Sequence, residues 1–400
     1  GKEKAMEEQN HTVLGVLAHV DAGKTTLSEQ MLYRCGTLRT AGRVDDRNAY
    51  LDYSGIERSR GITVFSDQAE LRIGERPFTL VDTPGHVDFS GEMERALSVL
   101  DCAVLVVSAV EGVQAHTETL WRLLEAQGLP AFIFLNKTDR AGADPAGALE
   151  QLKRLGGLGF CSLWGGLSGD GVFSSQAAEA LAELDDSLLE AYLSQGYDRL
   201  RWLDTARKLL ARRLLFPVFS GSALKGEGVD ELLTGLRLLA PQPGGSREEP
   251  FSGRVYKVRH DKGGRVVCLK VERGTLHPKD VLEAPGGEEK CNELRIYSGA
   301  KYELAREAGP GMLCAVTGVQ QARAGEVVGA GARKAEPFVL RPLLSAKVLY
   351  DAAQTPPPVM LSHFRELEDE EPLLGVAWNE RTQEIEVRVM GEIQLEVLQE

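Results

Sequence analysis

The segment Ala18-His-Val-Asp-Ala-Gly-Lys-Thr25 constrains this chain more than any other eight residues. It follows an apolar run, Val13-Leu-Gly-Val-Leu17, with the character of a buried strand, and it leads into Thr25-Thr-Leu-Ser-Glu-Gln-Met-Leu32, whose spacing predicts a helix. Strand, glycine-containing loop, Lys-Thr and helix together make a cradle for phosphate. Backbone N–H groups of the loop and of the helix N-terminus face a polyphosphate's negative charge. Ala18, His19, Val20, Asp21, Ala22, Gly23, Lys24, Thr25 and Thr26 are the candidate lining. Lys24 reaches the outer phosphates and the Thr25 hydroxyl ligates Mg²⁺. Asp21 either holds a monovalent cation near the phosphates or only shapes the loop. The rings of His11, His19 and His116 read as structural or surface groups.

Four further stretches extend the site. Asp82-Thr-Pro-Gly-His86 follows the apolar run Phe78-Thr-Leu-Val81, so Asp82 sits at a strand's end and holds the Mg²⁺ shell, while Gly85 offers an N–H to the terminal phosphate. Thr83 and Pro84 belong to the same nucleotide-facing turn. Asn136-Lys-Thr-Asp139 ends the run Ala131-Phe-Ile-Phe-Leu135, and Asn136, Lys137 and Asp139 are candidates for the base. A carboxylate at 139 accepts hydrogen bonds from guanine's N1–H and exocyclic amine; adenine has no such pair of donors, so the site selects GTP over ATP. Ser222, Ala223 and Leu224, after the strand Phe216-Pro-Val-Phe-Ser220, are expected to reach guanine O6 through the backbone. Arg60-Gly-Ile-Thr63 supplies Thr63, a third Mg²⁺ ligand on a mobile loop. All five stretches occur in chain order, three of them at expected strand ends, where open parallel sheets place their ligands.

Hydrolysis rests on His86, whose imidazole, with an ordinary pKa of about 6.5, suits orienting a water or stabilising charge near neutral pH. Val20 and Ile62 are the apolar residues expected to flank and restrain it, which implies a slow free enzyme activated by a partner.

Strand and helix patterns alternate through residues 12–136, which means a mainly parallel sheet covered on both faces. The expected elements are strands at 12–18, 78–82, 102–108 and 131–136, and helices at 24–35, 87–99 and 115–127. Residues 36–66 are too long and polar for a quiet connection and read as a switch. The expected organisation is a polar tail 1–10, an α/β P-loop nucleotide domain 11–243 with an inserted subdomain at about 145–212, a β-barrel 249–334, and a partial α+β domain 337–400. The insertion carries one helical stretch from Gln176 to Gln195, and a final helix at 391–398 barely starts, so the chain reads as a fragment.

A net charge of −13 speaks against indiscriminate nucleic-acid binding but leaves room for local basic patches. Six scattered cysteines, with no Cys-x-x-Cys pair, read as reduced thiols of a cytoplasmic protein, and zinc has little support.

These residues resemble the translational GTPases built like elongation factor G. The signatures are Ala18–Thr25, Arg60–Thr63, Asp82-Thr-Pro-Gly-His-Val-Asp-Phe89, Val99–Gln114 and Asn136–Asp139. Within that family the chain is most similar to the tetracycline-resistance ribosomal protection proteins, through the Val16–Gly23 form of the loop, the short insertion, Gly274–Val281 and Met390–Glu396. The resemblance implies GTP and GDP as ligands, Mg²⁺, His86 as catalytic histidine with Val20 and Ile62 as its gate, and hydrolysis that triggers release from the ribosome. Ribosomal RNA and proteins would be the partners of a monomer, with no membrane or DNA partner. It also implies two further C-terminal domains. Two other readings stay open: a translocase or release-factor-like paralogue, and a GTP-gated binding module that hardly hydrolyses.

Overall fold

The computed structural model describes residues 10–38, 67–86, 89–157, 159–261, 263–299 and 301–399. The expected switch loop from residue 39 onward, with Ile62 and Thr63, lies outside them, as does most of the N-terminal tail.

In chain order the first elements are β1 (Thr12–Ala18), α1 (Lys24–Arg34), β2 (Asp67–Ile73), β3 (Arg76–Asp82), α2 (Ser90–Leu97), β4 (Cys102–Ser108), α3 (Ala115–Ala126) and β5 (Ala131–Asn136). Then come α4 (Pro145–Gly156), β6 (Phe160–Ser162), α5 (Ser175–Ala182), α6 (Asp186–Gln195), α7 (Arg199–Ala211), β7 (Phe216–Ser220) and α8 (Val229–Leu239). The chain divides into two compact units, the first ending at Gly85 and resuming from Leu100 to Pro243; His86–Val99 and Gly244 onward form the second.

The first unit holds a seven-stranded sheet in the order β2-β3-β1-β4-β5-β7-β6. Every residue of β1, β4 and β5 is buried, as expected of inner parallel strands covered on both faces. Only β2 runs antiparallel, joined to β3 through Gly74-Glu75 with Ile73 opposite Arg76. No strand is expected at 67–73, although Ala69, Leu71 and Ile73 alternate inward between more exposed polar residues.

Residues 145–212, expected as a subdomain riding on the core, are built into it. β6 pairs in parallel with β7, and Leu181, Trp202 and Leu210 share one apolar cluster with Leu14 and Phe134. The helical stretch expected from Gln176 to Gln195 is two helices. Asp185 restarts the chain by accepting the Leu188 N–H as an N-cap, and the same device opens α4, α5 and α7 at Asp144, Ser174 and Asp198.

The second unit continues with β8 (Ser252–Asp261), β9 (Gly264–Arg273), β10 (Val281–Ala284), β11 (Gly287–Lys290), β12 (Leu294–Ser298), β13 (Lys301–Leu304), β14 (Leu313–Thr317) and β15 (Val327–Gly329). In the region expected as a barrel, these strands form a six-stranded sheet, β13-β12-β14-β9-β8-β15, and a β10-β11 hairpin. Leu282 and Ala284 of the hairpin close the same core as Val255, Leu269 and Val316 of the sheet, as a barrel requires. Beyond it lie β16 (Leu344–Lys347), α9 (Pro357–Glu370), β17 (Ala377–Asn379), β18 (Glu384–Val389) and α10 (Glu392–Gln399). The β16-β18-β17 sheet packs Ile385, Val387 and Val389 with Leu374 and Val376.

All eight residues of α2 are buried, charged ones included. Glu92 Oε1 lies 3.0 Å from Lys257 Nζ, and Arg95 Nη2 donates to Glu92 Oε2 at 2.7 Å. Burial alone would raise the Glu92 pKa, but Lys257 and Arg95 overcome it and hold the carboxyl down to about 2. A depressed acid contributes stability that is complete above the unfolded pKa of about 4.5 and is lost as pH falls toward 2, here on the order of 3 kcal/mol. Glu92→Gln should therefore lower stability at neutral pH and flatten the acid limb between those values. Denaturant titrations across that pH range, followed by circular dichroism, check it; an unchanged acid limb would show that Glu92 is not the titrating group.

Candidate nucleotide site

The register of the first sheet brings the expected stretches to one edge. Val16 pairs with Asp82, Ala18 with Val106, Ser108 with Asn136, and Leu135 with Ser220. The carboxyl ends of β1, β3, β4, β5 and β7 thus share one side of the sheet. The chain leaves β1 for β3 on one flank and returns to β4 on the other, and at such a reversal the crevice outside the strand ends is open to a ligand.

The loop after β1 turns through Asp21 and Gly23, both with positive φ, 63° and 101°. Gly23 is the N-cap of α1 and makes no side-chain cap, so the helix's first N–H groups have no capping side chain. A Cβ on Gly23 would meet Asn136 Nδ2 at 2.2 Å, so only glycine fits between the loop and β5. Lys24 Nζ lies 2.5 Å from Asp82 Oδ2, and the Ser28 hydroxyl donates to Asp82 Oδ1 at 3.1 Å. Asp82 is fully buried and Lys24 nearly so. A cation and a carboxylate thus meet where a triphosphate and a divalent ion need balancing charges. Ser28 is absent from the sequence reading; its signal was its place one turn beyond Thr25 on the same helix face.

Asn136, 3% exposed, ties three loops together. Its Nδ2 donates to the Ala22 carbonyl at 2.8 Å and its Oδ1 accepts the Ala223 N–H at 2.8 Å. Thr138 N–H donates to the Gly221 carbonyl at 3.2 Å. The Asp139 carboxyl is held below the usual carboxylate range, chiefly by the Ser222 hydroxyl, which leaves it ionised and able to accept two donors at neutral pH.

Several expected roles are redistributed. Ala223 spends its N–H on Asn136, and Ser222 acts through its side chain on Asp139, while Leu224 is largely exposed. The Thr83 hydroxyl donates inward to the Val16 carbonyl at 2.8 Å, so it pins β3 to β1. Pro84 is buried, and a Cβ on Gly85 would lie 3.8 Å from Lys24 Cε and 3.9 Å from the Ala18 carbonyl. Lys137, at φ 65°, places its ammonium 3.7 Å from Glu111. Thr25, Thr26 and Val20 are half-buried on the loop and first turn, and the His19 ring lies near that of His116, centroids 6.0 Å apart and tilted by 59°. His86 opens the stretch that groups with the second unit. Among the described residues no group of three or more histidine, cysteine, aspartate or glutamate side chains is placed to hold a metal ion.

Comparison with known proteins gives this arrangement a family. Residues 9–242 match the elongation factor Tu GTP-binding domain and residues 250–331 match elongation factor G domain 2. The chain is 34% identical to an oxytetracycline resistance protein of Streptomyces rimosus, over 97% of this chain and 63% of that one. It is 30% identical to an elongation factor G 2 of Syntrophus aciditrophicus (strain SB), over 96% and 66%. A crystal structure from Thermus thermophilus superposes with a TM-score of 0.85 at 27% identity, covering 97% of this chain and 65% of that one. The fold and crevice are those of a guanine-nucleotide-binding P-loop protein. More narrowly, the chain belongs to the elongation factor G-like translational GTPases, a family of GTP hydrolases, and spans about two thirds of the length of these relatives.

Two substitutions probe the site. Asn136→Ala should orphan the Ala22 carbonyl and the Ala223 N–H, costing roughly 2–4 kcal/mol of stability and most of the nucleotide affinity; chemical denaturation and calorimetry measure both. Asp139→Asn should weaken GTP by about 100-fold or more and admit xanthine nucleotides, whose base presents the complementary edge. Unchanged preference for guanine in a competition assay would remove Asp139 from base reading.

Proposed function

We propose that this chain is the nucleotide-binding and hydrolysing part of a ribosome-stimulated GTPase of the protection type, which dislodges tetracycline from the ribosome with GTP bound and departs on hydrolysis. The carrying observation is the crevice in which Asn136 joins the loop of Lys24 to the loop that orients Asp139. The likeness to a protein named for oxytetracycline resistance supports the protection role.

The oxygen donors at the phosphate end fit Mg²⁺. Thr25 offers a hydroxyl and Asp82 a carboxylate steadied by Ser28, the hard donor set this ion takes, with Thr63 a further ligand from the sequence reading. When bound, Mg²⁺ neutralises charge on the outer phosphates. Lys24 and the N–H groups opening α1 hold those phosphates, and Asp139 fixes the guanine. His86 orients the attacking water, and Val20 with Ile62 restrains its ring until the ribosome displaces it. The working form is a cytoplasmic monomer whose partners are ribosomal RNA and proteins; among the described residues no helix is long and apolar enough to cross a membrane.

A translocase of the elongation factor G kind is the second reading, favoured by 30% identity to an elongation factor G 2. Ribosomes preloaded with labelled tetracycline separate the two. Drug released with GTP supports protection; drug retained while GTP is hydrolysed leaves the translocase. Phosphate release should rise with ribosomes and fall by about 100-fold or more in His86→Ala with GTP binding kept. Equal turnover by mutant and wild type would end the assignment of His86.

A further inference from the structure

The boundary between the two compact units falls between Gly85 and His86, inside the stretch that joins nucleotide binding to hydrolysis. The next element in the chain is α2, and charge fastens α2 to the second unit. The Arg95 guanidinium donates to both oxygens of Glu371, from Nη1 at 2.6 Å and from Nη2 at 3.0 Å. Its Nη2 also bonds Glu92, which in turn pairs with Lys257 of β8. The Glu94 carboxylate accepts the backbone N–H groups of Val339 and Leu340 at 2.6 and 2.9 Å. Gly91 lets the helix come close: a Cβ there would lie 2.8 Å from Leu373 Cδ1.

Glu371 belongs to a run of acids at the end of α9, each read by a different segment. Asp369 takes both ends of the Arg265 guanidinium fork, at 2.6 and 2.8 Å, and Glu370 accepts the His260 N–H at 2.6 Å. One helix end therefore binds β8, β9 and α2 at once. Buried ion pairs are costly to desolvate and add little net stability over apolar packing of the same volume, so their use here points to specificity of position. A network of bidentate bonds fixes orientation as well as distance.

We propose that Glu92, Glu94 and Arg95 are positioning residues that make α2 a rigid extension of the second unit, so that the segment carrying His86 moves with that unit and not with the strand that leads into it. A partner that engages the second unit then sets the histidine without touching the nucleotide loops. The inference rests on the reading of His86 as the hydrolytic residue.

The test is a charge exchange in the full chain: Arg95→Glu, Glu371→Arg, and the two together, with Glu371→Gln as a milder cut should either reversal fail to fold. Hydrolysis is measured with ribosomes present, together with KM for GTP and hydrogen exchange of the amides of residues 90–97. Each single reversal should lower kcat by about tenfold, within the usual range of coupling between sites, with KM held within about twofold and faster exchange in α2. The double exchange should recover the rate. Wild-type kcat in both single variants and in Glu371→Gln overturns the proposal, as does a loss the double exchange does not restore or a loss carried by KM. His86→Ala run alongside separates the two ideas: if it turns over like wild type, the hydrolytic reading falls. If it is slow while the charge variants are not, only the anchoring falls.

Discussion

A single carboxamide, that of Asn136, holds the nucleotide crevice in register. The phosphate loop, the loop after β5 and the loop after β7 belong to three separate strands, and parallel pairing fixes only where those strands end. The loops beyond could drift, because each has backbone groups that need partners and no ladder to supply them. One amide offers both a donor and an acceptor, and here they meet a carbonyl from one loop and an N–H from another. Aspartate or leucine could supply at most half of this. The glycine at 23 is its counterpart, since any side chain there would occupy the place of the Asn136 nitrogen.

Charge is handled differently in the two units. In the first, the buried Lys24–Asp82 pair sits where ligand charges are to be received, so its cost is tied to binding. In the second, buried carboxylates at 92 and 94 serve one short helix and are met by Lys257, Arg95 and the Val339-Leu340 backbone. The same physics therefore gives a receptive site in one place and a fixed joint in the other. In both, each buried charge has a partner from the chain; what separates them is that the Lys24–Asp82 pair also lies at the strand ends proposed to face the nucleotide.

Much of this was legible in the sequence because the signals were strong and local. β4, β5 and β7 match the expected bounds to within a residue, being continuous apolar runs bounded by turn residues. β2 escaped because its alternating face is short and its charged residues make it resemble a loop. The break at Asp185 was hidden because an aspartate inside a helical pattern is as often a solvated residue as a cap. Strand spacing announced the β-rich second unit, but it does not fix which strands pair, which is why the pairing order was not legible. In the site, Lys24, Asp82 and Asp139 were readable from residue type and position. The inward turn of Thr83 and the double duty of Asn136 were not, because both depend on which atom a long-range neighbour presents.

Binding and turnover are separated along the chain as well as in chemistry. Every described group that grips the nucleotide in this reading lies on a strand end, loop or helix start of the first unit, Gly85 among them. His86, proposed to act on water, is the next residue, and the helix that follows it packs on β8, the Val339-Leu340 backbone and the end of α9. Contacts that hold the nucleotide equally in the ground state and the transition state add affinity and leave the barrier where it was. On the proposed reading, acceleration comes from whatever orients the histidine that opens the second unit.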